Sequence, residues 1–421
     1  MTKLTSSWDI PEVACPASER GGAYRPFDQK GMYAFFAEAR REESVFYCPE
    51  IGYWVITKRE DVLRVLRDPD LFSASIALSP VTPLPDETVA YLRQNGFMVE
   101  PTQVNCDRPK HTRIRRAARQ FLNPKRFAAY ESEIRELVRA YIHDMEGKRT
   151  VDIVAGLTYE LPAKAIFLLL GIDDVDTGKI KKWSDNRLLM TWGKPSDEQF
   201  REAGRELLDF FNYCRDIVDE RLVNPSDDYP SVLLAIRRKD PDALSLNEIV
   251  CLVFGLLLAG HETTTNASSN ILMALLQNRA QWERLVADPE LIPNAVEEGL
   301  RYASSVVNWR RRNLKDVEIG GVRIPEGSNL LISLASANHD EAQFENPEAL
   351  DVTRPNAREH IAFGNGIHFC IGAPLARLEI KVILQELTNR FPNMRLIEGQ
   401  SIDWVRTISF RGPERLKVEL C

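Results

Sequence analysis

Cys370 is the residue of this 421-residue chain best placed to do chemistry. It follows a glycine-rich segment that contains Gly364 and Gly366, and it precedes a predicted helix with Pro374 at an early position. The positive end of a helix dipole and free backbone N–H groups favour the thiolate form of a cysteine. The glycines allow positive φ angles and a close approach of the backbone to a flat, bulky group. The sequence therefore predicts that Cys370 is a nucleophile or a metal ligand.

A glutamate and three threonines interrupt the most apolar segment of the chain. Residues 245–248 read Ser-Leu-Asn-Glu, a helix-capping pattern, and an apolar run extends from them through Leu276. At about 1.5 Å per residue, such a helix is roughly 45 Å long. Near its middle, Glu262 precedes Thr263, and a threonine hydroxyl can bond the carbonyl group four residues earlier and bend the helix. The pattern predicts either a polar patch in a core helix or a functional acid–alcohol pair.

Two other motifs are incomplete. His261-Glu262 begins the zinc-binding pattern His-Glu-x-x-His, but Thr265 occupies the second histidine position. The Gly-x-Gly at residues 364–366 begins a dinucleotide-binding fingerprint, but Phe369 replaces the third glycine and no strand–turn–helix unit surrounds it. The sequence therefore predicts neither a zinc protease site nor an NAD(P)H site.

The composition is that of a soluble globular protein. Hydrophobic residues make up 44% and charged residues 27% of the chain, and the net charge of −7 argues against nucleic acid as a partner. Seven scattered cysteines fit the reduced thiols of a cytoplasmic protein. The first twenty residues are polar and no run of eighteen apolar residues occurs, so we expect neither a secretion signal nor a membrane span.

Short strands and helices alternate in the N-terminal part of the chain. Ser44–Cys48 and Tyr53–Thr57 are typical of a hairpin, and Arg59–Arg67 is predicted to form the helix after it. From about residue 126 to residue 301 the apolar periodicity is nearly all helical. Strands are predicted again in residues 320–334 and 395–419.

No internal repeat or linker divides the chain. The simplest account is one mainly α domain with small peripheral β-sheets. We expect residues 1–25 to form a partly flexible N-terminal tail and residues 26–421 to form this single domain.

The segment around Cys370 resembles the cysteine-ligand loop of cytochrome P450 monooxygenases. The family pattern Phe-x-x-Gly-x-x-x-Cys-x-Gly is matched by Phe363, Gly366, Cys370 and Gly372. The resemblance implies the cytochrome P450 fold, a triangular helix-rich domain with small peripheral β-sheets. It also implies that Cys370 is the thiolate ligand of the iron in heme b (iron-protoporphyrin IX), with Phe363 and Gly372 beside the cofactor.

Residues 259–264 resemble the family's mid-helix motif Ala/Gly-Gly-x-Asp/Glu-Thr-Thr. The resemblance implies that Glu262 delivers protons during oxygen activation and that Thr263 assists it through its hydroxyl. It also implies that Gly260 leaves room for dioxygen beside the bent helix.

Further matches assign residues around the cofactor. His111 and Arg115 match a family His-x-x-x-Arg pattern that binds a haem propionate, and Arg311 and His368 match further donors to the propionates. A structural Glu-x-x-Arg motif of the family, with a third arginine, is matched by Glu298, Arg301 and Arg354.

The sequence around the motifs is similar to one bacterial branch of the family, formed by self-sufficient, reductase-fused enzymes and their stand-alone relatives. This similarity implies insertion of one atom of O2 into a small hydrophobic or aromatic substrate, by hydroxylation or by O- or N-dealkylation. By family position we expect Leu258, Ala259, Val307 and Ile408 to line the substrate pocket. We also expect a monomer.

Electrons are expected from a separate ferredoxin or ferredoxin-reductase type protein. Its candidate docking face is the basic cluster Arg113, Arg116, Arg119, Lys125 and Arg126. Two alternative functions remain, a peroxygenase driven by hydrogen peroxide and a haem-thiolate sensor without turnover. The acid–alcohol pair argues against both of them.

Overall fold

The computed structural model describes residues 18–172 and 177–420 of the chain. Helices dominate this part of the chain, as the sequence predicted. In chain order they are α1 (Glu19–Ala23), α2 (Met32–Glu42), α3 (Arg59–Arg67), α4 (Asp86–Gln94), α5 (Lys110–Ala118), α6 (Pro124–Ala128), α7 (Glu131–Met145), α8 (Leu161–Leu170), α9 (Thr177–Trp192), α10 (Asp197–Val223), α11 (Tyr229–Lys239), α12 (Leu246–Ala259), α13 (Glu262–Gln277), α14 (Arg279–Ala287), α15 (Ile292–Tyr302), α16 (Leu334–Ala337) and α17 (Ala373–Arg390).

Short strands form three small sheets in the described residues. The strands are β1 (Val45–Cys48), β2 (Tyr53–Ile56), β3 (Phe72–Ser73), β4 (Thr150–Asp152), β5 (Asn308–Asn313), β6 (Val317–Ile319), β7 (Val322–Ile324), β8 (Asn329–Ser333), β9 (Arg395–Leu396) and β10 (Lys417–Glu419). The largest sheet has the order β1-β2-β8-β5-β3, in which only β2 and β8 are parallel neighbours. The second sheet has the order β4-β10-β9, and β6 pairs with β7 in the third.

The long apolar helix begins as predicted but consists of two parts. The Ser245 hydroxyl accepts a hydrogen bond from the Glu248 N–H at 3.0 Å, and the Glu248 carboxylate accepts one from the Ser245 N–H at 2.9 Å. This capping box starts α12. The helix breaks between Ala259 and Glu262, and the Thr263 hydroxyl donates to the Ala259 carbonyl at 3.1 Å. The predicted bend at the threonines is therefore confirmed.

Both parts of this helix lie inside the hydrophobic core. α12 packs against α8, α10 and α11, whereas α13 packs against α14, α15 and α17. By length and apolar composition the stretch Leu246–Gln277 could cross a membrane, but 61% of its most apolar window is buried inside the protein. Such burial is typical of a core helix in a globular domain.

The predicted hairpin is confirmed, with Val45 opposite Ile56 and Cys48 opposite Tyr53. Two strands differ from the prediction. β4 interrupts the segment predicted to be helical because its three residues pair with β10 at the far end of the chain, a partner that local periodicity does not reveal. β5 contains three consecutive arginines, and its place between β8 and β3 imposes the strand conformation on them.

The part of the expected N-terminal tail that the structure describes is packed against the domain. Residues 19–23 form α1, and Tyr24 is buried with its ring centre 5.6 Å from that of Phe36 and 5.8 Å from that of Phe46. Residues 1–17 of that expected tail lie outside the described residues.

Candidate active site

The segment Phe363–Gly372, here called the cysteine loop, consists of tight turns that lead into α17. The Cys370 N–H donates to the Phe363 carbonyl at 3.0 Å. Gly364 and Gly366 both have a φ of 71°, which confirms that the turns need glycine. A side chain on Gly366 would collide with the Leu66 carbonyl of α3, so the close approach predicted there is to protein backbone.

The acidity of the Cys370 thiol differs from the expectation. The Cys370 side chain is exposed, yet desolvation by the surrounding protein raises the pKa of its thiol, whereas the N–H groups of Gly372 and Ala373 and the charge of Arg115 lower it by less. The loop by itself therefore favours the thiol over the thiolate. A bound metal ion deprotonates a coordinating thiol outright, so this environment suits a metal ligand better than a free nucleophile.

One deep cavity brings most of the predicted site residues together. Those that line it are Arg115, Leu258, Ala259, Gly260, Glu262, Thr263, Arg311, Phe363, His368, Cys370 and Gly372. Residues separated by more than 250 positions in sequence thus share one cavity because the cysteine loop and the broken helix both border it. Gly260 also serves helix packing, since a side chain there would collide with Ile166 of α8.

Glu262 is buried in an ion pair that sequence reasoning missed. Its carboxylate pairs with Lys181 of α9, whose ammonium group lies 4.1 Å from the ring centre of Tyr159. Burial by itself would raise the pKa of Glu262, but Lys181 and His261 together outweigh burial and lower it. Partial desolvation of its carboxyl group and the charge of Glu262 raise the pKa of Asp185, whose side chain is otherwise exposed and accepts a hydrogen bond from the Tyr159 hydroxyl at 2.7 Å.

A cluster of basic side chains forms one edge of the cavity. Arg311 is 2% exposed and donates to the Arg310 carbonyl at 2.8 Å, which leaves most of its five N–H donors available. His368 donates through Nδ1 to the Gln103 carbonyl at 3.0 Å, and its Nε2 is buried without a partner among the described residues. Burial lowers the pKa of Arg311 to about 10 and that of His368 to about 3.

His111 lies behind this edge and does not line the cavity. Its ring centre is 4.4 Å from that of His368, and neither of its ring nitrogens has a hydrogen-bond partner in the part of the chain described here. Arg115, one turn later on α5, donates to the Phe369 carbonyl of the cysteine loop. The predicted propionate donors therefore lie close together, although His111 is separated from the cavity and the others line it.

The residues present fit a haem. A thiol that lines an apolar cavity suits an iron ligand, and the guanidinium groups of Arg115 and Arg311, which bond only backbone carbonyls among the described residues, suit the two propionates of the cofactor. The acid–alcohol pair of the broken helix borders the same cavity.

The structural triad is assembled as predicted. Glu298 and Arg301 are completely buried and form two hydrogen bonds of 2.7 and 2.8 Å. The Nε of Arg354 donates to both carboxylate oxygens of Glu298 at 3.1 Å. Both arginines also donate to the Ala349 carbonyl at 3.0 Å, so the triad connects α15 to the segment that precedes the cysteine loop.

A second ion network beside the triad was not predicted. Glu297 accepts hydrogen bonds from His360 at 3.0 Å and from Arg377 of α17 at 2.8 and 2.9 Å. Burial would raise the pKa of Glu297, but these donors outweigh it and lower the pKa to about 2. The Arg377 guanidinium lies 4.6 Å from the ring centre of Phe363, so this network supports the start of the cysteine loop. The sequence feature that could have revealed this network is Glu297 itself, a second acidic residue directly before Glu298.

Glu379 of α17 was also missed. It lines the cavity, is completely buried, and neither carboxylate oxygen has a hydrogen-bond partner among the described residues. Burial raises its pKa well above 4.5, so the carboxyl group is protonated at a pH where an exposed glutamate is ionised.

The Glu379→Gln variant is expected to become more stable relative to the native protein as the pH rises. Because the folded-state pKa lies above 4.5, the carboxyl group's contribution to stability is complete below pH 4.5 and declines toward the folded pKa. The stabilising contribution of the carboxyl group decreases by at most about 1.4 kcal/mol per pH unit. Thermal melting between pH 5 and pH 8 measures the difference, with exposed Glu38→Gln of α2 as the control. A difference that does not change with pH would show that folded Glu379 is ionised.

Two expected pocket residues are replaced by their neighbours. Leu258 and Ala259 line the cavity, whereas Val307 and Ile408 are completely buried in a separate core cluster. Val306 and Phe410, which are joined in an antiparallel bridge, line the cavity instead. Successive side chains of an extended segment point to opposite sides, so an offset of one residue moves Val307 from the pocket into the core.

Known proteins are similar to this chain in sequence and in fold. The cytochrome P450 family profile matches residues 186–402. Cytochrome P450 CYP107DY1 of Priestia megaterium is 35% identical over 354 residues, which are 83% of this chain and 85% of that protein.

Two solved structures extend the comparison. An intact type IV self-sufficient cytochrome P450 monooxygenase superposes with a TM-score of 0.92 and 38% identity, covering 96% of this chain and 54% of that chain. This chain thus spans about half the length of the self-sufficient enzyme. Cytochrome P450 CREJ in complex with (4-ethylphenyl) dihydrogen phosphate gives a TM-score of 0.92 and 37% identity, covering 95% of this chain and all of that chain.

This chain belongs to the cytochrome P450 family. It has the P450 fold, uses heme b as its cofactor, and is an oxidoreductase of the P450 monooxygenase type.

Proposed function

We propose that this protein inserts one oxygen atom of O2 into a hydrophobic or aromatic substrate, by hydroxylation or by O- or N-dealkylation, with Cys370 as the haem ligand. The observation that carries the proposal is the shared cavity, which is bordered by Cys370 and by the Glu262–Thr263 pair. When bound, the haem supplies the activation of O2. Arg115, Arg311 and His368 would hold its propionates, with His111 behind them.

The chain's own residues would control the protons of this reaction. Asp185 is exposed, and its raised pKa lets it hold a proton from solvent at its carboxyl group. Glu262 is ionised by its pairing with Lys181 and lies close enough to Asp185 to shift that pKa. A proton can pass from Asp185 to the Glu262 carboxylate and from there to the cavity side of Thr263. The hydroxyl of Thr263 is oriented by its bond to the Ala259 carbonyl.

The electron donor would be a separate protein of ferredoxin or ferredoxin-reductase type that docks beside the cysteine loop. α5 contacts that loop through Arg115, and Arg116 and Arg119 next to it in sequence are exposed. Lys125 is exposed as well, and Phe369 of the loop is 41% exposed. Attraction between this basic face and an acidic carrier would weaken as salt is added.

Two members of the expected docking cluster have carboxylate partners. Arg113 pairs with Glu248 at 2.6 Å, and Arg126 pairs with Asp227. The docking face is therefore reduced to Arg116, Arg119 and Lys125.

The Thr263→Ala variant is expected to lower product formation by about a hundredfold while NADPH consumption continues, because proton delivery is lost and electron supply is not. The assay uses a surrogate ferredoxin system with 4-ethylanisole and 4-methoxybenzoate, which offer both a C–H bond and an O-methyl group, and follows NADPH and products. Glu262→Gln is expected to act in the same way.

The matched control is Thr388→Ala in α17. Thr388 is a buried threonine whose hydroxyl donates to the Leu384 carbonyl at 2.7 Å, four residues earlier, as that of Thr263 does to Ala259. It does not line the cavity, so its loss should leave product formation unchanged. Turnover by hydrogen peroxide alone that is indifferent to Thr263→Ala would favour a peroxygenase. Absence of substrate-dependent NADPH consumption with every probe would favour the sensor.

A further inference from the structure

One face of α9 carries polar groups that have no hydrogen-bond partners. Ser184, Arg187 and Thr191 are three and four residues apart and therefore lie on one face of the helix. The hydroxyl oxygens of Ser184 and Thr191 and the Nε of Arg187 are buried, and none has a partner within residues 18–172 and 177–420. The same holds for the indole Nε1 of Trp192. All four groups can donate, and buried donors without acceptors are rare in folded proteins.

Arg187 is also a positive charge at a partly buried position. Burial, and to a smaller extent the like charge of Arg310, lower the pKa of the Arg187 guanidinium to about 10. Arg310 is completely buried and donates to the Ser79 carbonyl at 2.7 Å and to the Ala77 carbonyl at 2.8 Å. Among the described residues, no carboxylate acts on Arg187. A partly desolvated cation of this kind costs free energy unless an anion neutralises it.

Neither arginine lines the cavity, but both adjoin residues that do, namely Leu78, Leu188, Trp192 and Trp309. Arg187 immediately precedes Leu188, and Arg310 immediately follows Trp309 and binds the carbonyl groups on both sides of Leu78. The Arg310 guanidinium is 5.8 Å from the ring centre of Trp192. The unpartnered donors therefore adjoin the cavity at its tryptophan-lined end.

We propose that the substrate carries an anionic group, a carboxylate or a phosphate monoester, which Arg187 binds at the tryptophan-lined end of the cavity. This inference rests on the proposed function, because it specifies the class of substrate held in the same cavity. The hydroxyls of Ser184 and Thr191 and the N–H of Trp192 complete the set of donors. The tryptophan rings contact the aromatic part of the same molecule, and charge-assisted hydrogen bonds fix its anionic end.

Calorimetric titration of the haem-loaded protein tests this proposal with a matched pair of probes. 4-Ethylbenzoate and 4-ethylnitrobenzene have nearly the same shape, but only the first is charged, and 4-ethylphenyl phosphate provides the phosphate arm. At least one anion is expected to bind at least about tenfold more tightly than the nitro compound. Arg187→Gln is expected to remove this preference, whereas Arg205→Gln, at an exposed position of α10, retains it.

Equal affinity of the native protein for both anions and for the nitro compound would overturn the proposal, as would an Arg187→Gln variant that keeps the preference. The first comparison needs no variant, so it remains decisive if Arg187→Gln does not fold. The stronger of the two anionic arms identifies carboxylate or phosphate as the group bound. Binding requires no turnover, so a protein that prefers the anion but oxidises nothing contradicts only the proposed function. Oxidation of 4-ethylanisole without any anion preference contradicts only this inference.

Discussion

Replacing Cys370 by serine is expected to abolish monooxygenase activity and to weaken haem binding strongly. The thiol is the sulfur ligand available at the floor of the cavity, and a serine hydroxyl is a far weaker ligand for iron. Loss of groups that merely support a metal ligand costs about 10–100-fold in affinity or activity, so loss of the ligand itself should cost more than that. Product formation with the surrogate ferredoxin system and the haem content after gel filtration measure the two effects.

The control for this variant is Cys48→Ala, which removes a buried cysteine in β1. It is expected to keep its haem and its activity, although it creates a small cavity in the core. A Cys370→Ser protein that turns over substrate at the native rate would remove Cys370 from the site.

The Glu298→Gln variant is expected to lose about 3–5 kcal/mol of unfolding free energy. Arg301 and Arg354 both direct their guanidinium groups at this carboxylate, and both are buried. The amide leaves two buried positive charges without an anion, and its NH2 group cannot accept the hydrogen bonds that a carboxylate oxygen accepts. Because the triad supports the segment before the cysteine loop, haem is also expected to be lost at a lower denaturant concentration.

Urea unfolding followed by circular dichroism and by haem absorbance measures both quantities. The matched control is Glu283→Gln, which breaks the exposed Arg279–Glu283 pair of α14 at 2.8 Å. That change should cost about 0.5 kcal/mol or less. If Glu298→Gln costs no more than Glu283→Gln, the triad does not carry the stability assigned to it.

Residues that act within one continuous segment could be predicted from the sequence. The capping box of α12, the bend at Thr263 and the positive φ angles of the cysteine loop depend on neighbours within four residues, so their residue types carry the information. The family resemblance added the distant members, such as the Glu298 partner Arg354.

Partners contributed by distant elements could not be predicted in the same way. Lys181 meets Glu262 only because α9 crosses the broken helix, and nothing in the sequence around either residue marks the pair. The Glu297 network depends equally on the packing of α17 against α15. The prediction that Val307 lines the pocket was wrong, because the side to which its side chain points depends on a strand register that cannot be read from the sequence.

The role of Cys370 as the thiolate ligand of a haem is tested most directly by the absorption spectrum of the reduced, carbon monoxide-bound protein. A Soret band at the position typical of thiolate-ligated haem is expected in the native protein, and no such band in Cys370→Ser. A Soret band at the position typical of histidine-ligated haem in correctly folded native protein would show that Cys370 is not the ligand.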